Sequence, residues 1–334
     1  LGERDYDQVV TSMRLADGTL WPMPVTLDIG RELASSLEAG SHIALRDPEG
    51  FVIAVMAVGT VWQPDRQREA LAVFGTTDDS HPGVDYLLHQ ARPCYVGGTL
   101  SGIARPIEYD FKPLRDDPKD LREKFARWGW SRIVAFQTRN PMHRAHQELT
   151  RRAAQRAQAN LLLHPVVGIT KPGDVDHFSR VRCYEHVLKT YPEQTTALSL
   201  LPLAMRMAGP REAVWHAIIR KNFGCSHFIV GRDHAGPGKD RSGKPFYEPY
   251  AAQELLRQVA PELGIEMMPF KEMVYVQERA QYVARDEVDP GETVLDISGT
   301  EFRRRLQAGI GVPDWFSFEP VVTELRKRYP PRHR

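Results

Sequence analysis

The chain has 334 residues, of which 42% are hydrophobic and 26% charged, so it is long enough for two or three domains of an ordinary globular protein. Its formal net charge of +1 provides no overall attraction to nucleic acid, and we expect no nucleic-acid partner. Its three cysteines are widely spaced and form no Cys-x-x-Cys pair, which excludes a disulfide framework and a cysteine zinc site and favours a reducing compartment. We find no signal peptide and no long apolar segment, so the sequence predicts a cytoplasmic protein that does not associate with a membrane.

The first 110 residues have the pattern of a β-rich unit. Strands are predicted at residues 21–29, 42–46, 51–57 and 94–100. The second and third of these flank Asp47-Pro48-Glu49-Gly50, a turn sequence with proline at its second position. A helix is predicted over residues 67–74, and the proline-rich, charged residues 105–118 are typical of a linker. None of these segments requires chemistry, so we interpret this part as a scaffold.

From residue 120 onward, helical and strand patterns alternate along the chain. The predicted strands lie at residues 133–136, 160–168, 196–200 and 226–231. The predicted helices lie at residues 121–128, 142–153, 180–189, 210–222 and 250–259. Such alternation predicts a parallel sheet covered by helices on both faces. Ligands of such sheets bind at the carboxyl ends of the strands, near the point where the strand order reverses.

The segment from residue 132 to residue 150 has the densest group of anion-binding side chains. A buried strand is predicted to end before Asn140-Pro141, and the proline can begin the first turn of a helix. A strand that turns sharply into a helix presents backbone N–H groups and a partial positive charge at one point. The polar side chains around this point are Gln137, Arg139, Asn140, His143 and His146. This pattern predicts an active site for a phosphorylated or sulfated substrate.

Three other segments are candidates for the same site. Residues 231–238 (GRDHAGPG) follow a strand, contain glycines that allow close approach of a ligand, and offer Arg232 and His234 as donors. Residues 168–177 also follow a strand, and their glycine and proline content favours a mobile lid. Ser298 and Glu301 have the spacing of a capping box, which is either purely structural or presents a helix N-terminus to phosphate.

His143 and His146 have two interpretations. A His-x-x-His pair lies on one helix face, so a zinc site is conceivable, but no glutamate lies between the two and no third ligand is identifiable. Two donors at the start of a helix, beside an arginine, fit a triphosphate better.

Together, the segments QTRNPMHRAH (137–146), LPLAMRMAGPR (201–211) and GRDHAGPG (231–238) resemble the ATP sulfurylase family of the nucleotidylyltransferase superfamily. The segments ITKPGDVDH (169–177) and ISGTEFR (297–303) agree with this resemblance. The His-x-Gly-His motif of the superfamily appears here as His143-Arg-Ala-His146.

The resemblance implies an α/β fold with three parts. These are a β-rich, PUA-like N-terminal domain at residues 1–110, a Rossmann-like parallel-sheet catalytic domain at 111–271 and a small C-terminal α/β domain at 272–334. Family members usually have some tens of residues before the point that matches Leu1, so we expect the N-terminal domain to be incomplete at its start.

The resemblance also implies roles for individual residues. Sulfate would be bound by Gln137, Arg139 and the backbone N–H of Ala235. The implied catalytic residues are Thr138, Arg139, Asn140, His143, His146 and Arg232. The implied ATP-binding residues are Gln137, Arg139, Asn140, His143, His146, Gly231, Arg232, Asp233, His234 and Met273. Met273 follows from a segment, residues 270–275, that matches the family only loosely.

The implied reaction converts ATP and sulfate to adenosine 5'-phosphosulfate (adenylylsulfate) and pyrophosphate, with Mg²⁺ carried by ATP. Sulfate has no dissociable proton at pH 7, so neither histidine is expected to act as a general base. We expect a homo-oligomer and an adenylylsulfate kinase that is either fused or separate; the Gly-x-x-x-x-Gly-Lys-[Ser/Thr] motif of such a kinase is not present in this sequence.

Two alternatives remain open from the residues alone. One is an adenylyltransferase that uses a phosphate ester or a carboxylic acid in place of sulfate. The other is a non-catalytic nucleotide or anion sensor with the same fold. Pyrophosphate release with and without sulfate distinguishes all three functions.

Overall fold

The computed structural model describes residues 1–171 and 173–328. The chain divides into two compact units. The first consists of Leu1–Lys112, Arg206–Trp215 and Ala235–Leu255. The second consists of Pro113–Met205, His216–His234 and the residues from Leu256 onward. Residues 105–118, expected to form a linker, contain a short 3-10 turn at Lys112–Leu114 and end at the first residue of the helix Pro118–Arg127.

The helices are α1 (Glu3–Ser12), α2 (Arg31–Ser36), α3 (Arg66–Phe74), α4 (Pro82–Asp85), α5 (Pro118–Arg127), α6 (Arg144–Ala157), α7 (His177–Leu188), α8 (Gly209–Asn222), α9 (Ala251–Leu263), α10 (Gly299–Gln307) and α11 (Glu319–Arg328). The strands are β1 (Leu27–Ile29), β2 (His42–Arg46), β3 (Val52–Trp62), β4 (Cys94–Gly102), β5 (Ile133–Phe136), β6 (Asn160–Leu163), β7 (Thr196–Leu198), β8 (His227–Val230), β9 (Glu266–Pro269), β10 (Met273–Val276), β11 (Gln281–Ala284) and β12 (Val294–Leu295). No helix within residues 1–171 and 173–328 has the length and apolar character needed to cross a membrane.

The first unit contains an antiparallel sheet with the strand order β1-β4-β3-β2. The turn between β2 and β3 is the predicted one: the N–H of Gly50 donates to the carbonyl of Asp47 at 3.0 Å, and Gly50 has a φ of 93°. A positive φ of this kind favours glycine, which explains the residue at this position. The β-rich character expected for residues 1–110 is therefore confirmed.

Helix α1 was not predicted from the sequence. It packs through Tyr6, Val9 and Val10, which are almost fully buried. Tyr6 and Tyr95 both donate hydrogen bonds to the carboxylate of Glu69, at 2.9 and 3.1 Å. Burial raises the pKa of Glu69, while the two tyrosine hydroxyls oppose that rise. A buried carboxyl group is thus accommodated in the core because its oxygens are hydrogen-bonded.

The second unit contains a five-stranded parallel sheet with the order β7-β6-β5-β8-β9. Every residue of β5 and β8 is buried, as expected for central strands covered on both faces. From β5 the chain continues through β6 and β7 on one side of the sheet and then returns to form β8 and β9 on the other. The strand order therefore reverses between β5 and β8. The predicted α/β fold with a Rossmann-like parallel sheet is confirmed.

A small antiparallel sheet, β11-β10-β12, follows in the same unit together with α10 and α11. The sequence did not predict β9 or these three strands, which contain four residues or fewer each. The predicted strand at residues 160–168 is also shorter than expected, because β6 ends two residues before Pro165. The division into domains at residues 111 and 272 stays a prediction, and residues 329–334 lie outside the described part of the chain.

Candidate active site

The loop that follows β5 is held in one conformation by its own side chains and by α7. The hydroxyl of Thr138 accepts a hydrogen bond from the N–H of Asn140 at 3.1 Å and lies 3.0 Å from its carbonyl oxygen. From α7, Tyr184 donates to the same carbonyl at 2.8 Å, and Arg180 donates to the carbonyl of Arg139 at 2.9 Å. These bonds satisfy the backbone groups of Arg139 and Asn140 that they involve and hold this part of the loop in place. Thr138 is nearly buried, so its hydroxyl serves the loop itself.

Helix α6 begins at Arg144, which is later than the sequence indicated. Pro141 precedes the helix and does not form part of its first turn. His143 has an extended backbone and takes the N-cap position, and His146 is the third helical residue. The N–H of His143 donates to Nδ1 of His146 at 3.1 Å. This bond satisfies one of the backbone donors that every helix start leaves without a helical partner.

The hydrogen bond to Nδ1 determines the tautomer of His146. A nitrogen that accepts a hydrogen bond has no proton, so the neutral ring of His146 has its proton on Nε2 and can donate from there. Nδ1 of His143 lies 2.8 Å from the hydroxyl of Ser317. Burial lowers the pKa of His143 to about 3 and that of His146 to about 4. Near pH 7 both rings are therefore neutral hydrogen-bond donors and not cations.

The ring of His143 is enclosed by residues from the C-terminal part of the second unit. Its centroid lies 4.9 Å from the rings of both Phe302 and Phe316. Ser317 is 2% exposed, so its bond to His143 is shielded from water. The sequence analysis missed Phe316 and Ser317, for which no local motif exists, whereas Phe302 belongs to the ISGTEFR segment. The N-cap function of Ser298 in that segment is observed, since it accepts from the N–H of Glu301 at 3.2 Å.

Arg139 is paired with a carboxylate from the neighbouring loop. One of its terminal nitrogens donates to both oxygens of Asp174, each at 2.6 Å. Both side chains are largely buried, which strengthens this ion pair relative to a surface pair. Asp174 belongs to the segment predicted to form a lid, in which Pro172 lies outside the described residues. Arg139 is thus already bound to an anionic group contributed by the chain itself.

Gln137, the first residue after β5, contacts two side chains that the sequence analysis did not assign to the site. The guanidinium of Arg220 on α8 donates to Oε1 of Gln137. Nε2 of Gln137 lies 3.5 Å from the sulfur of Met205. No sequence signal marks Arg220, because it precedes Lys221 and Asn222 at the end of α8, a pattern typical of a solvated helix end.

The loop that follows β8 begins beside the β5 loop, because Val134 and Ala135 of β5 pair with His227 and Phe228 of β8. Its Arg232 is exposed and lies 3.2 Å from Glu272 and 3.5 Å from Asp233. Both loops therefore leave the sheet at the same edge, where the strand order reverses.

The other residues predicted for the site, His234, Met273 and Ala235, lie on different elements of the chain. Nε2 of His234 lies 3.0 Å from Nδ1 of His216. Burial, together with the neighbouring His216, lowers the pKa of His234 well below its ordinary value. Met273 is the first residue of β10 and is half-buried. Ala235 begins a segment of the first unit and has a φ of 54°. Its carbonyl accepts from the N–H of Gly209 at 3.2 Å.

Comparison with known families gives a clear relationship. A family described as ATP-sulfurylase matches residues 112–328. A family described as PUA-like domain matches residues 1–105. The chain belongs to the ATP-sulfurylase family. The resemblance noted in the sequence is thereby confirmed, as is the PUA-like nature of the N-terminal region.

Curated relatives extend well beyond this chain. The sulfate adenylyltransferase of Mycosarcoma maydis is 55% identical over 99% of this chain and 58% of its own length. That of Schizosaccharomyces pombe is 53% identical over 100% of this chain and 68% of its own length. The solved structure of a hexameric APS kinase from Thiobacillus denitrificans matches with a TM-score of 0.79 and 33% identity, over 100% of this chain and 58% of that one. The chain thus spans little more than half of most of these relatives.

Within the ATP-sulfurylase family region, the structure brings several predicted residues to one edge of the parallel sheet. Gln137, Arg139, Asn140, His143 and His146 surround the β5 loop and the start of α6, while Gly231, Arg232, Asp233 and His234 follow β8. Among residues 1–171 and 173–328, no group of three or more His, Cys, Asp or Glu side chains is arranged to hold a metal ion. The nitrogen Nδ1 of His143 and that of His146 are each engaged in a hydrogen bond, as described above.

Proposed function

We propose that the protein is a sulfate adenylyltransferase, which converts ATP and sulfate to adenosine 5'-phosphosulfate and pyrophosphate in a reversible reaction. The observation that carries this proposal is the arrangement around the start of α6. There, Gln137, Arg139 and two neutral histidine donors follow the central strand of the parallel sheet in the ATP-sulfurylase family region. Such a point is suited to anions, because helix N-termini and fixed donors stabilise negative charge.

The proposed reaction is a direct in-line displacement. A sulfate oxygen attacks the α-phosphorus, the new P–O–S linkage forms, and the bond from the α-phosphorus to the bridging oxygen of pyrophosphate breaks. No proton is transferred, because sulfate has none to lose near pH 7. The enzyme therefore acts by alignment of the two anions and by stabilisation of the charge that moves to pyrophosphate.

The two histidines would supply that stabilisation as neutral donors. Burial keeps the pKa of His143 and of His146 far below 7 in the free protein, so each ring is neutral and has one N–H that can donate. Asn140 and Arg232 would contact the triphosphate in the same region, and Thr138 would contribute by holding the loop that carries Arg139 and Asn140. Fixed donors of this type cost little reorganisation during the reaction.

Sulfate would be bound by Gln137, Arg139 and the backbone N–H of Ala235. The ion pair between Arg139 and Asp174 supports the role of Arg139, since its guanidinium already holds an anionic group there. The nucleotide would contact Gly231, Asp233, His234 and Met273. Mg²⁺ would enter with ATP, held by the phosphate oxygens.

Further proposals concern the assembly and the setting of the enzyme. We infer a homo-oligomer, an inference supported by the hexameric state named for the T. denitrificans relative. We infer that the product is passed to an adenylylsulfate kinase, fused or separate. A cytoplasmic location is supported by the three free thiols, Cys94, Cys183 and Cys225, which suit a reducing compartment.

The decisive experiment measures pyrophosphate release from Mg-ATP with and without sulfate. We expect release that depends on sulfate and a product with the mass of adenosine 5'-phosphosulfate. Release with a phosphate ester or a carboxylic acid, but not with sulfate, would indicate another adenylyltransferase. Nucleotide binding without any pyrophosphate release would indicate a non-catalytic sensor. Either result would contradict the proposal.

A further inference from the structure

Arg220 is completely buried and contacts the first residue of the β5 loop. Its guanidinium donates to Oε1 of Gln137, and the same nitrogen donates to the backbone carbonyl of His164 at 3.0 Å. The guanidinium carbon also lies 5.7 Å from the ring centroid of Phe228 on β8, within the range of a cation–π contact. Arg220 is therefore held by the residue that follows β6, by β8 and by the loop after β5, so the direction of its N–H groups is fixed.

This contact determines which way the amide of Gln137 is turned. A guanidinium has only donors, so the atom of Gln137 that faces it must be the oxygen. The NH₂ group of Gln137 then points to the opposite side, where one of its hydrogens faces the sulfur of Met205 at 3.5 Å. Sulfur is a weak acceptor, so the NH₂ group remains able to donate to a ligand. This orientation follows from the chemistry of the donors and not from the assignment of the amide atoms.

We propose that Arg220 is a positioning residue that sets the anion specificity of the site by holding Gln137 with its NH₂ group towards the bound anion. This inference rests on the proposed function, in which Gln137 and Arg139 bind sulfate. Arg220 does not touch the anion itself and acts through Gln137.

The specificity arises from a difference in protons between two similar anions. Near pH 7, sulfate carries no proton, so all of its oxygens accept hydrogen bonds. Inorganic phosphate carries at least one P–OH group, which requires an acceptor. The NH₂ group of Gln137 and the guanidinium of Arg139 offer donors, which suit sulfate. An amide turned by 180° would offer an acceptor to the P–OH group and would lose a donor to sulfate.

Arg220 makes the turned amide unfavourable. It would place the NH₂ group of Gln137 against the guanidinium, leaving donors face to face in a buried region and removing a charge-assisted hydrogen bond. Asp174 pairs with Arg139 whichever way the amide of Gln137 is turned. Its effect on anion binding therefore cancels when variants at position 220 are compared.

The test compares two substitutions of Arg220 that differ in hydrogen-bonding character. Arg220→Lys retains a side chain that can only donate and should keep the amide of Gln137 in place. Arg220→Gln can donate or accept, so it permits both orientations. The dissociation constants of sulfate and of inorganic phosphate are measured by calorimetry in the presence of a non-hydrolysable ATP analogue. We expect Arg220→Gln to weaken sulfate roughly tenfold or more and to bring the two constants together, whereas Arg220→Lys retains the preference for sulfate.

Two controls separate positioning from a general structural role. ATP affinity and the melting temperature should change little relative to the loss of sulfate selectivity. In a Gln137→Ala background, Arg220→Gln should cause no further loss of selectivity, since its effect acts through that amide. If both Arg220 variants keep wild-type selectivity, or if sulfate and ATP binding weaken in parallel, the proposal is wrong.

A substitution at position 137 tests the proposal if Arg220→Gln does not fold. Gln137→Glu keeps an oxygen against Arg220 and places the other carboxylate oxygen towards the anion. It should abolish the preference for sulfate while the fold is retained, and unchanged sulfate binding would overturn the inference. Pyrophosphate release by the wild type is measured in parallel. If the wild type binds sulfate selectively but releases no pyrophosphate, the proposed reaction is contradicted and the role of Arg220 stands. If it shows neither selective sulfate binding nor pyrophosphate release, both proposals are contradicted.

Discussion

The hydroxyl oxygen of Ser317 lies 2.8 Å from Nδ1 of His143, although the two residues are 174 positions apart in the sequence. Ser317 is buried beside Phe316, which also packs on the His143 ring. A hydrogen bond at one nitrogen fixes the plane of an imidazole and the direction of its other nitrogen. The C-terminal segment before α11 therefore orients a histidine at the start of α6.

We expect Ser317→Ala to lower kcat about three- to tenfold, because a neutral hydrogen bond of about 0.5–1.5 kcal/mol is lost and the ring gains rotational freedom. Steady-state kinetics in both ATP and sulfate measure the effect. The KM for sulfate should change less than kcat. In a His143→Ala background the same substitution should have little effect, and an equal loss in both backgrounds would mean that Ser317 does not act through His143.

His146→Ala should lower kcat on the order of 10²–10³-fold, as expected for one electrostatic donor. The substitution also removes the acceptor for the N–H of His143, so circular dichroism must show that α6 is intact. His186, which lies near the end of α7, provides a matched control: His186→Ala should leave kcat unchanged. Retained turnover in His146→Ala, together with loss of bound zinc, would support the metal interpretation instead.

Arg139→Lys should raise the KM for sulfate and lower kcat, because lysine has a single charged centre where arginine has a planar fork. The loss of a charge-assisted bond costs roughly 1.5–3 kcal/mol, which is about ten- to a hundred-fold. Selenate and molybdate should be affected in the same way as sulfate when pyrophosphate release is measured with each anion. Arg232→Lys is the matched control, since it should weaken ATP more than sulfate. Lost ATP binding with normal handling of all anions by Arg139→Lys would place Arg139 in the nucleotide site.

Stability should decrease as the pH falls from 7 to 5, because several histidines are buried in the neutral form. The pKa of His81 in the first unit is lowered by burial to about 4, and the ring is fully buried. Its unfolded value is near 6.5, so between these values the unfolded state binds more protons and the free energy of unfolding falls with decreasing pH. His143 and His146, lowered to about 3 and 4, act in the same direction. Glu69 opposes the trend, since its raised pKa stabilises the protonated folded form at lower pH.

Urea denaturation between pH 5 and pH 7.5 measures this dependence. His81 contributes a slope of at most about 1.4 kcal/mol per pH unit, the value for one proton. His81→Gln should be less stable at pH 7, because Nδ1 of His81 accepts from the N–H of Gly83 at 3.0 Å, and should show a smaller slope than the wild type. A wild-type stability that increases as the pH falls from 7 to 5 would contradict the expectation.

Local patterns in the sequence determined the sheet and the loops that carry the candidate site. The apolar run of β5 followed by Asn140-Pro141 and the Gly-rich segment after β8 are short-range signals, because strand alternation, proline and glycine act on neighbouring residues. Strand–helix alternation then predicts a parallel sheet, and the carboxyl ends of such strands must meet at one edge. Gln137, Arg139, His143 and His146 were predicted as candidate site residues on this basis.

Tertiary structure alone decided how those residues are held and charged. α6 begins only at Arg144, with His143 in the N-cap position and its backbone N–H bonded to His146, an arrangement that helical periodicity does not encode. Arg220 and Ser317 contact the site from elements 83 and 174 residues away, and no local pattern identifies such partners. Neutral histidines near pH 7 result from burial, and burial is a property of the packed chain and not of any segment within it.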